Sequence, residues 1–328
     1  MSKITIKGYH YSQEIYDGYS NDEIFYLALN FTTRCNYRCS YCFVESDDLN
    51  KTESELCMET VKTLLDEARK LGAKTFVVPG RGEPLLDKNF WNILEYATKL
   101  GYWIVIYTNG YHLSDEKIKQ LKHLPVSLFL KAESLTPAIY DEMVGVKNAY
   151  PIFRKNLDAL LADFHEPESI DGKIISRLGM NSVVAKKTAD SIEELYNFCK
   201  KHHIYYTCRI PTKIGRADKM WESLIGSDAE KLQSIGRKFA SRDFSSATPK
   251  GQCGIYRFGL TVENNGDVYV CPNARDKNFV SIGNVTKNSL SELLAIRNRI
   301  YPLNSGAGFC FVRSHRNPEV LSLCEEKT

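Results

Sequence analysis

Short apolar runs alternate with segments of helical periodicity from about residue 25 to residue 210. Six runs rich in β-branched and aromatic residues predict strands at 25–31, 74–78, 102–107, 126–130, 178–184 and 204–210. Repeated strand–helix units predict a parallel sheet with right-handed crossovers. Because six units are too few for the usual eight-stranded barrel, we expect an α/β fold built as a partial, TIM-like (β/α)6 barrel.

The helices between these strands are predicted from apolar faces and from capping residues. Val61, Leu64 and Leu65 mark one apolar face, and residues 90–100 carry a second one. A third helix is expected to begin at Ser114. Capping boxes are predicted at two further helix starts, Ser191 with Glu194 and Ser289 with Glu292.

The last third of the chain has a different composition. Residues 241–250 are polar and predict a linker, and residues 258–271 predict a hairpin whose turn is Asn265-Gly266. We therefore expect an N-terminal extension over residues 1–24, the partial barrel over 25–240 and a small α+β domain over 241–328.

Composition and charge narrow the class of protein. A net charge of +3 over 328 residues is too mild to argue for a nucleic-acid or anionic-membrane partner. The amino terminus has no export signal, and no apolar run approaches the length of a membrane span. We expect a cytoplasmic protein, in which the 10 cysteines bind metal, act in catalysis or fill the core.

Three cysteines follow the first predicted strand within eight residues, at Cys35, Cys39 and Cys42. At the cysteine frequency of this chain, such a pattern arises by accident about once in a hundred chains. Three thiolates so close together can hold three irons of a [4Fe-4S] cluster and leave the fourth iron open. An open iron is a place where a small molecule can bind and react.

The loops after the next two strands also carry polar and glycine residues. Residues 78–86 contain Gly80, Gly82 and Glu83, and glycines let a backbone approach a ligand closely. Thr108-Asn109-Gly110 follows the third strand. Each loop alone is more often an ordinary turn, but three successive loops on the same rim favour one common site.

These motifs resemble those of the radical S-adenosylmethionine (radical SAM) enzymes. The Cys-x3-Cys-x-aromatic-Cys signature of that family is matched by Cys35, Cys39, Tyr41 and Cys42. The family's methionine-binding motif, Gly-Gly-Glu-Pro, is matched at residues 81–84, with Arg81 in place of the first glycine and Gly80 just before it. The residues that the resemblance implies as cofactor-binding here are Tyr41, Gly80, Gly82, Glu83 and Pro84.

The resemblance also implies the chemistry. The open iron of such a cluster chelates the methionine part of S-adenosylmethionine, and an electron from the cluster releases a 5′-deoxyadenosyl radical. That radical removes a hydrogen atom from a substrate. A reducing protein such as flavodoxin or ferredoxin is implied as the electron donor.

Four cysteines of the last third resemble the auxiliary-cluster domain of the SPASM and twitch subgroups. Cys253, Gly266 and Cys271 match its opening element, and Cys310 and Cys324 supply two further thiols. Four cysteines suit one fully ligated auxiliary [4Fe-4S] cluster, so the implied cofactors are two such clusters and S-adenosylmethionine. A structural zinc site is the alternative for these four cysteines.

Further rim residues are carried over from the resemblance. The residues expected to contact the cofactor or substrate are Asn109, Lys131, Glu133, Asn181 and Arg209. Lys131 is a candidate to neutralise the cofactor carboxylate, and Glu133 is a candidate to bind a ribose or substrate hydroxyl. The alternative for Lys131, Glu133, Asn181 and Arg209 is a solvated charge at a strand end. Cys208 ends the sixth strand and is a candidate hydrogen-atom donor, because epimerising members of the family use a cysteine in this way. A plain strand cysteine is the alternative.

The sequence favours a small polar metabolite, such as a sugar, aminocyclitol or nucleoside, as the substrate of a dehydrogenation or epimerisation. A ribosomally made peptide is the alternative substrate, disfavoured because only about 24 residues precede the first predicted strand. A non-catalytic iron–sulfur or zinc protein is the alternative from another class.

Overall fold

The computed structural model of the chain describes residues 3–8, 13–43, 55–240, 258–271 and 281–300. The strands are β1 Lys3–Ile6, β2 Tyr26–Leu29, β3 Thr75–Val78, β4 Trp103–Thr108, β5 Val126–Lys131, β6 Glu168–Ile170, β7 Lys173–Ser176, β8 Leu178–Val183, β9 Tyr205–Arg209, β10 Gly259–Val262 and β11 Val268–Tyr269. The helices are α1 Gln13–Gly18, α2 Met58–Lys70, α3 Phe90–Lys99, α4 Asp115–Lys122, α5 Pro137–Val144, α6 Ala149–Asp163, α7 Ser191–Lys201, α8 Arg216–Lys219, α9 Trp221–Leu224, α10 Ala229–Phe239 and α11 Leu290–Ile300.

A mostly parallel sheet forms the centre of the molecule, with the strand order β11-β10-β2-β3-β4-β5-β8-β9, in which β11 runs antiparallel to β10. The six strands predicted from the sequence are β2, β3, β4, β5, β8 and β9, which pair side by side in chain order. Within the described residues the sheet ends at β9 on one side and at β11 on the other. The predicted partial barrel is therefore confirmed.

Amphipathic helices pack on this sheet, because packing there removes their apolar faces from water. In α2 the buried side chains include Val61, Leu64 and Leu65, as the periodicity predicted. In α3 the buried residues are Phe90, Ile93, Leu94 and Ala97. Helix α4 begins after Ser114, whose hydroxyl accepts a hydrogen bond from the Lys117 amide at 3.3 Å.

One of the two predicted capping boxes is present. At the start of α11 the Ser289 amide donates to the Glu292 carboxylate at 2.9 Å, and the Glu292 amide donates to the Ser289 hydroxyl at 3.3 Å. The box predicted at Ser191 is wrong. The Ser191 hydroxyl instead shares a 2.8 Å hydrogen bond with the buried hydroxyl of Ser134, which also accepts from the Thr136 amide at 3.0 Å.

The hairpin predicted at residues 258–271 also forms, with Gly266 at a positive φ of 90° in its turn. Its first strand, β10, pairs in parallel with β2, so the hairpin extends the central sheet. The proposed domain boundary at residue 240 is followed by residues outside those described, and the division into domains stays a prediction.

A second, three-stranded sheet was not predicted from the sequence. It has the order β1-β7-β6, with β1 parallel to β7 and β6 antiparallel to it. These strands are short and partly exposed, so they lack the apolar run that marks the central strands. None of the helices in the described part of the chain is long and apolar enough to cross a bilayer.

Candidate active site

The carboxyl ends of the six central strands surround one cavity of about 270 Å³. This is the edge at which loops of a parallel α/β barrel form binding sites. The predicted site residues that line the cavity are Cys35, Cys39, Tyr41, Cys42, Gly80, Gly82, Glu83, Asn109, Lys131, Asn181 and Arg209. Pro84, Glu133 and Cys208 do not line it.

The three thiols of Cys35, Cys39 and Cys42 share this cavity. Burial, reinforced by the nearby Glu83 carboxylate, raises the pKa of Cys35 to about 12, and burial also raises the pKa of Cys39. In the described part of the chain no three His, Cys, Asp or Glu side chains surround a point where a single metal ion would bind. Three thiols around a space this large fit a polynuclear cluster, with thiolates as its ligands.

Two arginines hold the backbone of residues 35–42, called the cysteine loop. Arg38 donates from Nη1 to the Cys35 carbonyl oxygen at 3.0 Å. Arg216 donates from Nη1 to the Cys39 carbonyl oxygen and from its backbone amide to the Cys42 carbonyl oxygen, both at 2.8 Å. Arg216 was not predicted from the sequence, because no motif marks a residue so far along the chain as a partner of this loop.

The loop that follows β3 at residues 79–86, called the glycine loop, is hydrogen-bonded to the residues just before Cys35. The Gly82 amide donates to the Thr32 carbonyl oxygen at 3.0 Å, and the Glu83 amide donates to that of Arg34 at 2.8 Å. A Cβ atom on Gly82 would lie 2.3 Å from the Arg34 carbonyl oxygen. Gly80 has a φ of +72°, a left-handed conformation that favours glycine. The glycines thus bring two rim loops into direct backbone contact.

Glu83 connects the loops after β3 and β4. Its carboxylate accepts hydrogen bonds from the Thr108 hydroxyl at 2.7 Å, the Asn109 amide at 2.8 Å and the Leu85 amide at 3.2 Å. Burial raises the pKa of Glu83 to about 7, although these hydrogen bonds act in the opposite direction. Pro84 starts the short 3₁₀ helix Pro84–Leu86 behind the wall of the cavity.

Asn109 links this loop to the cysteines. Its Nδ2 donates to Asn36 Oδ1 at 2.8 Å and lies 3.9 Å from the Cys35 sulfur. Its Oδ1 accepts from the Tyr111 amide at 2.9 Å. The side chain is thereby fixed with an N–H group directed at a predicted cluster ligand.

Lys131 brings a positive charge to the cavity wall. Its ammonium lies 2.9 Å from Glu133 Oε1, 3.1 Å from Asn181 Oδ1 and 4.5 Å from the centre of the Tyr41 ring. Glu133 is fully buried, and its Oε2 accepts a hydrogen bond from the Val183 amide at 2.8 Å. The predicted contact of Glu133 with a ribose or substrate hydroxyl is therefore not supported, since Glu133 lies behind Lys131 and holds it.

Cys208 lies on the face of β9 that is turned away from the cavity. Its sulfur is 3.7 Å from the Gly236 carbonyl oxygen in α10, and the residue is buried. Its neighbour Arg209 lines the cavity instead, because successive side chains of a strand point to opposite faces. The hydrogen-donor role predicted for Cys208 is not supported by this orientation.

The predicted auxiliary site is described only in part. Cys271 is buried just after β11. Cys253, Cys310 and Cys324 lie outside the described residues, and the ligand role of all four stays a prediction.

Two family models match the chain. The model of the radical SAM superfamily matches residues 29–166, and that of an iron–sulfur cluster-binding domain, SPASM, matches residues 253–325. The first contains the cysteine loop and the glycine loop. The second contains all four cysteines of the predicted auxiliary site.

Two curated proteins illustrate the similarity in sequence. The Fe-coproporphyrin III synthase of Methanosarcina barkeri is 26% identical over 58% of this chain, but only 44% of that protein is covered. The mycofactocin maturase MftC of Mycobacterium tuberculosis is 22% identical, with 79% of this chain and 67% of MftC covered. The chain thus spans less than half of the length of the first of these relatives.

Two solved structures share the fold. Streptococcus suis SuiB bound to S-adenosylmethionine superimposes with a TM-score of 0.59 and 17% identity, covering 85% of this chain and 68% of SuiB. Native anSMEcpe with bound AdoMet superimposes with a TM-score of 0.59 and 16% identity, covering 82% of this chain and 79% of anSMEcpe.

Proposed function

The chain belongs to the radical SAM superfamily and carries a SPASM iron–sulfur domain, and from this premise we propose that it abstracts a hydrogen atom from a peptide substrate. The cofactors of these two domains are S-adenosylmethionine, the radical SAM [4Fe-4S] cluster and the iron–sulfur cluster of the SPASM domain. When bound, the first cluster supplies the electron that cleaves S-adenosylmethionine to the 5′-deoxyadenosyl radical.

The residues that carry the proposal are those that share the cavity. Cys35, Cys39 and Cys42 would hold the cluster, and Arg38 and Arg216 fix the backbone between them. This gathering of three thiols at one rim, next to the glycine loop, is the single observation that carries the proposed radical chemistry.

Cofactor binding is proposed for the neighbouring wall. Gly80 and Gly82 line the cavity, and their lack of a side chain lets the glycine loop pack directly against the backbone of Tyr107 and Arg34, which would hold its own backbone beside the cofactor. Lys131, with Asn181 beside it, offers a cation for the carboxylate of the methionine part, and Arg209 adds a further polar contact from β9.

A peptide is proposed as the substrate in place of the small polar metabolite that the sequence favoured. Two proteins of the same fold, SuiB and anSMEcpe, were solved with peptides bound. The product is either a peptide that has lost two hydrogens, through dehydrogenation or cross-linking, or an epimer of unchanged mass.

The proposed activity is tested by anaerobic reconstitution with iron and sulfide, followed by dithionite and S-adenosylmethionine. We expect 5′-deoxyadenosine to form. A protein that holds about eight irons yet forms none would contradict the enzyme function and favour a non-catalytic iron–sulfur protein. Peptides encoded beside the gene are then assayed by mass spectrometry, with deuterium uptake from D2O to detect an epimer.

The orientation of Cys208 gives a prediction about the substrate half of the reaction. We expect Cys208→Ala to keep both 5′-deoxyadenosine and product formation within about twofold of the unsubstituted enzyme, because the thiol faces α10 and not the cavity. The lost packing should lower the free energy of unfolding by about 1 kcal/mol. The measurements are product yield and thermal denaturation.

Cys199→Ala is the matched control, since Cys199 is also buried outside the cavity. Loss of product in Cys208→Ala but not in Cys199→Ala, with S-adenosylmethionine still cleaved, would contradict this prediction and support Cys208 as the hydrogen-atom donor.

A further inference from the structure

An ion pair joins the glycine loop to the C-terminal hairpin. Arg81 Nη1 lies 2.6 Å from Glu263 Oε2, and the carboxylate side chain is only 2% exposed. Asn30 binds both partners, since its Nδ2 donates to Glu263 Oε1 at 3.2 Å and its Oδ1 accepts from the Arg81 amide at 3.0 Å. A buried carboxylate with this many donors is held in one place.

The pair connects two segments with different tasks. Arg81 lines the cavity and directly precedes Gly82, and it stands where the family motif has a glycine. Glu263 directly follows β10 and opens the turn that leads through β11 to Cys271, with its amide donating to the Asp267 carbonyl oxygen at 2.8 Å. A shift of the hairpin would therefore be transmitted to the glycine loop through the short Arg81–Glu263 contact.

We propose that the Arg81–Glu263 ion pair makes the affinity for S-adenosylmethionine depend on the position of the hairpin of residues 258–271, which carries Cys271. This inference rests on the proposed function. Arg81 and Glu263 act as positioning residues, because the pair holds the glycine loop in the conformation that receives the cofactor. Loss of the auxiliary cluster would then weaken cofactor binding at the other site.

The test is a double-mutant cycle on the dissociation constant for S-adenosylmethionine, measured by anaerobic isothermal titration calorimetry on the full chain. We expect Glu263→Gln and Cys271→Ser each to raise the constant about tenfold, within the usual range of coupling between sites. The double variant should also be weaker by about tenfold and not a hundredfold, because Cys271 acts through Glu263.

Two further variants sharpen the experiment. Arg81→Gln can replace Glu263→Gln in a second double-mutant cycle with Cys271→Ser. The test therefore remains if Glu263→Gln fails to fold. Arg154→Gln breaks an exposed ion pair with Asp158 on α6 and should leave the constant unchanged. Thermal denaturation shows that each variant is folded, and iron analysis shows that it still holds the cluster of Cys35, Cys39 and Cys42, while Cys271→Ser is expected to lose the auxiliary iron.

The inference is overturned if folded Glu263→Gln or Cys271→Ser binds S-adenosylmethionine as tightly as the unsubstituted chain. It is also overturned if the two effects multiply in the double variant. Failure of the unsubstituted chain to bind the cofactor would be seen first and would overturn the proposed function itself.

Discussion

Replacing Cys35, Cys39 and Cys42 together by alanine should abolish 5′-deoxyadenosine formation and remove about half of the iron. The three thiols are the cysteine side chains that line the cavity in the described part of the chain, so no other described cysteine can take their place. The remaining iron should belong to the second domain. Iron analysis and electron paramagnetic resonance of the reduced protein measure the two pools separately.

Cys57→Ala is the control for this triple variant, because Cys57 is exposed and lies outside the cavity. It should retain full iron and full activity. Iron that stayed at its original level in the triple variant would show that the cluster binds elsewhere, and complete loss of iron would show that the second set of cysteines holds no cluster of its own.

Gly82→Ala should have the second largest effect. The added Cβ would lie 2.3 Å from the Arg34 carbonyl oxygen and 2.7 Å from that of Thr32, and both are backbone atoms that cannot rotate away. The glycine loop must therefore move away from the cysteine loop. We expect S-adenosylmethionine binding to weaken at least about tenfold and the free energy of unfolding to fall by about 1–3 kcal/mol.

Gly236→Ala is the matched control. A Cβ at Gly236 meets its nearest atom at 3.7 Å, which is an ordinary contact, and the residue lies inside α10. This substitution should leave cofactor binding unchanged and stabilise the protein by about 0.5–1 kcal/mol. Calorimetric titration and thermal unfolding test both variants; normal binding by Gly82→Ala would refute the close-contact argument.

The central strands and the rim were predictable from the sequence because they depend on local signals. Buried parallel strands read as apolar runs between helical periods, and their carboxyl ends must share one edge of the sheet. Cys35, Gly82 and Asn109 lie in the loops that follow three such strands, so their proximity was expected from the order of the strands along the chain.

The direction of a side chain within a strand was predicted wrongly for Cys208. Cys208 and Arg209 are adjacent in β9, and neighbouring residues of a strand point to opposite faces. Both therefore could not face the same cavity, and this signal was available in the sequence. Which of the two faces inward depends on the register of the sheet, which only the structure supplies.

Contacts between distant segments of the chain were not predicted from the sequence. Arg81 meets Glu263 and Arg216 meets the cysteine loop across long stretches of chain. No periodicity or motif links such residues, because each pairing arises only after the sheet has brought the segments together. The same holds for Ser191, whose hydroxyl bonds to Ser134 in the loop between β5 and α5 and does not form the predicted capping box.

The parallel pairing of β10 with β2 has a consequence for folding during synthesis. Tyr26 is made early, but its partner Gly259 leaves the ribosome only after the whole of β3 to β9. Until then, one side of β2 is an open strand edge with unpaired amides and carbonyls, which is prone to pair with other chains. Truncation before β10 should therefore give an aggregation-prone product, and late closure of this edge should be a slow folding step.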